Sequence, residues 1–163
     1  MSVLTIASVV MALLGSALIA GVFFAFSSFV MKALARMSSH QGIAAMQSVN
    51  VVVINPTFLG TFMGTAVLCL LVALLAIKGW GTPSAPFYLV GALLYLVGTL
   101  LVTGLGNVPL NDKLAAVSAT DSTAVAVWDH YLDRWTRLNT IRTVAAAAAA
   151  MMLTLGLIRG AGF

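Results

Sequence analysis

An all-α bundle of four membrane-crossing helices is predicted by three observations. Hydrophobic residues fill 61% of the 163 positions and charged residues only 7%, against about 25% charged in soluble domains. Mean hydropathy is +1.09. The 8 Lys and Arg and 4 Asp and Glu are placed so that residues 1–31, 37–77, 79–111 and 143–158 contain none of them. A helix crosses a bilayer with about 20 mainly apolar residues. The four runs therefore predict four crossings in one domain, near 3–31, 51–77, 87–108 and 138–158, with interfacial extensions of the second and fourth helices. Collagen-like, disordered and disulfide-rich classes are excluded by the same composition. Nucleic acid is excluded as a partner because the net charge of +4 contains no basic run. Cys69 is the single cysteine, so neither an intrachain disulfide nor a cysteine metal site can form.

The first span begins near Val3 and closes at Lys32 and Arg36, with Phe23, Phe24, Phe26 and Phe29 towards its end. It lacks the basic start and short apolar core of a secretory signal, so it is read as a retained span. Ser38 and Ser39 offer N-cap oxygens for a helix from about His40. Run unbroken to Ile77, that helix would exceed about 50 Å, against a hydrocarbon core of about 30 Å. Its part through Asn50 is therefore expected at the interface or the bundle mouth. Pro56 cannot donate to the ladder and disfavours α geometry at Asn55, which predicts a kink or restart there.

Lys78 closes the second span, and residues 79–86 read as a short turn. The third span is expected to weaken at Gly104, Gly106 and Pro109, giving way to a polar connection from Asn111 to about Ser122. Thr120, Asp121 or Ser122 can cap the last helix, which starts amphipathic, crosses from about Leu138 and ends at Arg159. Gly60-x-x-x-Gly64 and the run Ala145–Ala150 are small-residue faces for close packing. They are read as joining helices of this one chain, and homo-oligomerisation is left open.

Four crossings put both termini and the 79–86 turn on one side, with Lys78 and Arg159. The other side carries Lys32, Arg36, Asp112, Lys113, Asp121, Asp129, Asp133, Arg134, Arg137 and Arg142. Basic residues concentrate on cytoplasmic loops, so this charged face is expected in the cytoplasm and the termini outside, in a bacterial cytoplasmic membrane.

Arg142 stands inside the fourth span. A charge at that depth normally faces the bundle interior and finds a partner. Trp128, Tyr131, Trp135, Asn139 and Arg142 are spaced 3, 4, 4 and 3 residues apart, which puts them on one helix face: an aromatic ladder leading to a polar, cationic floor. The bland alternative is an interfacial aromatic belt with a snorkelling arginine. Gln47, Asn50 and Asn55 lie at the mouth of the second span, and Asn107 and Asn111 flank Pro109. Amides in hydrocarbon need partners, so these either cap broken helices or share a pocket with Arg142. His40 and His130 are the only imidazoles, and no cluster has zinc-ligand spacing; ligation of a haem by one His, or another metal, is left open. Asp129 and Asp133 are one turn apart, but Asp133 precedes Arg137 by four and is expected in a surface ion pair, leaving Asp129 the freer carboxylate.

The segments Phe23-Phe24-Ala25-Phe26-Ser27-Ser28-Phe29-Val30-Met31, Ala45-Met46-Gln47 through Asn50 to Asn55-Pro56, Asn107-Val108-Pro109-Leu110-Asn111, and Trp135-Thr136-Arg137 with Asn139 and Arg142-Thr143 resemble the anthrone-oxygenase-like family of small four-helix membrane proteins. The resemblance spans nearly the whole chain in the same order. It implies oxidation of anthrones to anthraquinones without flavin or haem, and polar site positions at Asn50, Asn55, Asn107, Asn111, Trp135, Asn139 and Arg142. The family pattern sets a Trp and a His around the fourth-helix Asn, where this chain has Leu138 and Thr140. A role of that His as base does not carry over.

The leading expectation is a membrane-embedded, cofactor-free oxygenase or oxidase for an apolar phenolic or anthrone-like polycycle reaching it from the membrane interface. Arg142 would hold the oxyanion with Asn139, Asn107 or Asn50. Trp128, Tyr131, Trp135 and Phe26 would stack on the rings, and Asp129 or His130 would be the base. Membrane lipid and an apolar aromatic small molecule are the expected partners. Two other readings use the same residues: a non-catalytic binder or carrier of a quinone, lipid or other apolar molecule, and a structural membrane subunit whose amides repair helix ends.

Overall fold

The computed structural model of the protein describes residues 2–121 and 123–161. Those residues form five helices, four of them long and apolar enough to cross a membrane. Helix α1 spans Val3–Leu34, α2 Ser39–Val52, α3 Pro56–Lys78, α4 Ala85–Ala115 and α5 Ala124–Gly160. Helices α1, α3, α4 and α5 are the bundle, and α2 covers its charged end. Leu14, Leu18, Val67, Leu74 and Met151 stand more than half exposed on the outside, an apolar surface suited to lipid rather than water.

The short helix is capped as its sequence predicts: Ser38 Oγ accepts the Gln41 N–H at 3.4 Å. The restart predicted at Pro56 is made by Asn55. Its Oδ1 accepts the Phe58 N–H at 2.9 Å while its Nδ2 donates to the Val52 carbonyl at 2.9 Å, so one side chain ends α2 and begins α3. The second crossing therefore starts at Pro56 and not at 51. Between α3 and α4, Gly81 takes φ +106°, a left-handed conformation that glycine adopts without Cβ strain.

Two expectations about the third span are corrected. The helix does not give way after residue 108 but continues to Ala115, through π segments at Leu94–Leu101 and Thr103–Asn107 followed by an α segment from Val108. Pro109 falls in the first turn of that resumed segment, where its missing N–H costs little. Residues 111–115 of the predicted connection are thus helical. None of the predicted caps among the described residues bonds the first turn of the last helix: its N-cap is Thr123, which makes no side-chain cap bond, and Asp121 Oδ1 accepts the Thr123 N–H at 2.9 Å in the turn just before it. That bond holds the Asp121 carboxyl below its ordinary pKa. Ser122 lies outside the described residues. The 37 residues of α5 extend about 55 Å, so its first turns project past a bilayer core, with Asp133 and Arg137 paired there at 2.8 Å.

Helix α4 approaches α5 closely where glycines allow it. A Cβ on Gly98 would stand 2.5 Å from the Ala145 Cβ, and one on Gly106 would stand 2.9 Å from Leu138. The alanine run thus serves the predicted close packing. Gly60 and Gly64 do not: among the described residues nothing lies within 4 Å of a Cβ built on either, so neither is a point of close helix packing there.

Apolar packing falls into two clusters, one around Ile19, Cys69, Tyr95 and Leu153, the other around Ile43, Met46, Leu114, Trp128 and Tyr131. A polar layer centred on Asn139 and Arg142 lies between them.

Candidate functional site

The 3-4-4-3 spacing on α5 is realised as a buried face: Trp128, Tyr131, Trp135, Asn139 and Arg142 are each no more than 5% exposed. Ring centroids of Trp128 and Tyr131 lie 5.8 Å apart and those of Tyr131 and Trp135 5.9 Å apart, both pairs stacked. Arg142 sits at the foot of this stack. Its guanidinium carbon is 4.0 Å from the Phe23 ring centroid and 5.3 Å from that of Trp135, close enough for cation–π attraction.

The Arg142 bonds are all to neutral groups. Nη2 donates to Asn139 Oδ1 at 2.7 Å and Nη1 to Thr103 Oγ1 at 3.1 Å, while Nε is buried without a partner. Among the described residues the one ion pair is Asp133–Arg137, so Arg142 is a buried cation with no counter-ion there. Asn139 is aimed by α1: its Nδ2 donates to the Phe23 carbonyl and to Ser27 Oγ, both at 2.7 Å. The Phe26–Val30 π segment begins at this point, and the wider turns of such segments disturb the regular carbonyl ladder. Thr140 Oγ1 reaches the same Ser27 Oγ at 3.1 Å.

Helix α4 supplies the third side. Thr99 Oγ1 donates to the Arg142 carbonyl at 3.4 Å and Asn107 Nδ2 to the Trp135 carbonyl at 3.2 Å. Asn111 Oδ1 accepts from Tyr131 Oη at 2.8 Å and from Trp135 Nε1 at 2.9 Å, using both of its lone pairs. Asn50 Nδ2 reaches Tyr131 Oη at 3.4 Å. Gln47 Nε2 donates to the Leu114 and Val117 carbonyls at 2.8 and 3.0 Å, which ties α2 over the end of α4.

Beneath α2 these elements enclose a cleft of about 690 Å3, within the range of small-molecule sites. Arg142, Trp135 and Thr103 form its inner end, and Phe23, Phe26, Phe58 and Phe62 its aromatic wall. Gln47, Asn50, Asn111 and Asp112 stand towards its charged end. Val22, Leu59, Met63 and Val108 line it and are also exposed on the outside of the bundle, so the cleft has an apolar side opening.

Of the twelve residues singled out in the sequence, Arg142, Trp135, Phe26, Asn50 and Asn111 line this cleft. Asn139, Asn107 and Tyr131 lie behind it as buried support. Trp128 packs on α2 instead, where a Cβ on Gly42 would come within 2.7 Å of its ring. Asn55 is the helix cap already described. Asp129 and His130 are exposed and contribute nothing to the lining; at about 100° per residue they project about 140° and 120° away from Arg142 around α5. Thr103, Ser27, Phe23, Phe62 and Asp112 were not singled out. Thr103 stands four residues before Asn107, a signal the sequence does carry; Phe62 and Asp112 come to the site through tertiary packing. A separate shallow hollow of about 460 Å3 lies at the charged end between Ser39, His40, Thr120 and Asp121. Among the described residues no three His, Cys, Asp or Glu side chains form a group able to hold a metal ion.

The chain is thus a helical bundle of membrane-crossing type with an aromatic cleft and a buried cation, without a counter-ion among the described residues, at the inner end of that cleft. A family model described as anthrone oxygenase matches residues 52–152, and the chain belongs to that family. No curated protein and no solved structure matches it.

Proposed function

We propose that the protein is a membrane-embedded oxygenase that converts an anthrone-like phenolic polycycle to its quinone. The observation that carries this reading is Arg142: buried, bonded only to neutral groups, and part of the lining of an aromatic cleft. An uncompensated buried charge is costly, and a ligand oxyanion offsets that cost. An anthrone has an acidic methylene across the central ring from its ketone. Its enolate is electron-rich enough to pass an electron to oxygen directly, so the protein needs to position the rings, hold the enolate oxygen and keep water away. Arg142 does the holding, with Thr103 and Asn139 fixing its orientation; Phe26 and Trp135, in tilted contact with centroids 5.7 Å apart, form one aromatic wall against the rings.

The apolar side opening gives a lipid-dissolved substrate a direct route to the cleft, and the charged end of the bundle is assigned to the cytoplasm. On this reading the protein carries no cofactor, which an absorbance spectrum and metal analysis of the purified protein test. The reaction is tested by oxygen uptake and anthraquinone absorbance with anthrone. Loss of an oxyanion donor costs about 100- to 1,000-fold in kcat, so Arg142→Gln is expected to lose at least that while retaining the helical circular dichroism of the parent. Wild-type turnover in Arg142→Gln refutes the assignment. Saturable protection of the parent against heat by anthrone, with no oxygen uptake, makes the chain a binder instead.

A further inference from the structure

Proton abstraction from the substrate needs an acceptor that reaches the cleft, and the exposed Asp129 and His130 do not. Among the residues lining it, Arg142 and Asp112 are the only two that carry charge, and Arg142 as a cation cannot accept a proton. Asp112 is exposed at the charged end of α4 and has no ion-pair partner among the described residues. We propose that the Asp112 carboxylate is the general base of the site, taking the methylene proton from a substrate whose ketone oxygen lies on Arg142. The inference rests on the oxygenase reading above.

The two groups are set at opposite ends of one aromatic surface. Trp135 has its ring centroid 5.3 Å from the Arg142 guanidinium carbon, and its Nε1 bonds Asn111, the residue before Asp112, at 2.9 Å. Along α4, nine residues separate Thr103, which holds Arg142, from Asp112, about 13 Å of helix rise. A fused tricycle lying against Trp135, with its ketone inward and its methylene outward, fits between them once both side chains extend towards it. Exposure also lets the carboxyl exchange protons with water between turnovers.

The proton ledger closes through this one carboxyl group. It takes the first methylene proton, and the electron pair passes to the ketone oxygen. The enolate gives one electron to O2, and the resulting radical pair joins carbon to oxygen as a peroxide anion. The carboxylic acid protonates that anion. The carboxylate then takes the second methylene proton as the O–O bond breaks, and returns it to the departing hydroxide. Anthrone plus O2 becomes anthraquinone plus water, and Asp112 ends ionised as it began.

The test uses the full chain in detergent micelles, with anthrone and 10,10-dideuteroanthrone, and compares Asp112→Asn and Asp112→Glu with the parent. A general base contributes about 100- to 10,000-fold. Asp112→Asn is therefore expected to lose at least about 100-fold in kcat with KM unchanged and a larger deuterium effect, and Asp112→Glu to recover much of the rate. The parent's unfolding midpoint should persist in both variants, because the side chain is exposed. Parental kcat and isotope effect in Asp112→Asn overturn the proposal while leaving the oxygenase reading standing, and so does a loss confined to KM. Absence of oxygen uptake in the parent overturns both.

Discussion

The bond between Arg142 and Asn139 should register as a coupling energy. Asn139 is fully buried and makes three bonds of 2.7 Å: two donated to α1, at the Phe23 carbonyl and Ser27 Oγ, and one accepted from Arg142. Side-chain bonds between membrane helices average about 0.6 kcal/mol, and a bond to a charged group contributes about 1.5–3 kcal/mol. Asn139→Leu is thus expected to lose about 3 kcal/mol. Arg142→Leu removes the same charged bond and also a cation that is costly to bury, so its net effect is smaller. The double variant should be less destabilised than the sum of the singles by about 1.5–3 kcal/mol, the share counted twice. Reversible unfolding in mixed SDS and detergent micelles, followed by the fluorescence of the nearby tryptophans, measures all four corners of the cycle. Additivity within about 0.5 kcal/mol would refute the reasoning, because it would mean that the two side chains do not depend on each other.

The glycines offer a contrast within one protein. Gly42→Ala puts a Cβ 2.7 Å from the Trp128 ring and should cost about 1–3 kcal/mol as an overpacked site, whereas Gly60→Ala, with open space around it, should be neutral or gain up to about 1 kcal/mol from helix propensity; the same micelle titration distinguishes them. Gln47→Leu leaves the Leu114 and Val117 carbonyls without their side-chain donor, and should lower stability by about 1–3 kcal/mol and speed hydrogen exchange at the end of α4 ahead of the bundle core.

Much of this architecture is legible in the chain because charges are excluded from hydrocarbon. The four uncharged runs locate the crossings, Pro56 marks the break, and the spacing from Trp128 to Arg142 draws the buried face of α5. The same helical arithmetic turns Asp129 and His130 away from that face, so their exclusion was available from the sequence too. The inner course of α4 was not. Glycines and a proline read as helix breakers in isolation, yet here Gly98 and Gly106 admit α5 and Pro109 begins a new segment, since packing against a neighbour outweighs intrinsic propensity. Nor can spacing show that a backbone carbonyl at Phe23 aims Asn139, or that Asp112 shares a cleft with a residue 30 positions later.

The π segments of α4 set the register of its polar face. Thr99, Thr103, Asn107 and Asn111 all bond α5 and stand four residues apart. In an unbroken α-helix that spacing drifts about 40° per step, about 120° from first to last. The wider turns between Leu94 and Asn107 drift the other way and keep the four in line, like a leap day restoring a calendar. Winding the same residues as an ordinary α-helix would swing Asn111 and Asp112 about 120° around the axis relative to Thr99, parting the outer end of the cleft from the inner without altering a single residue of either.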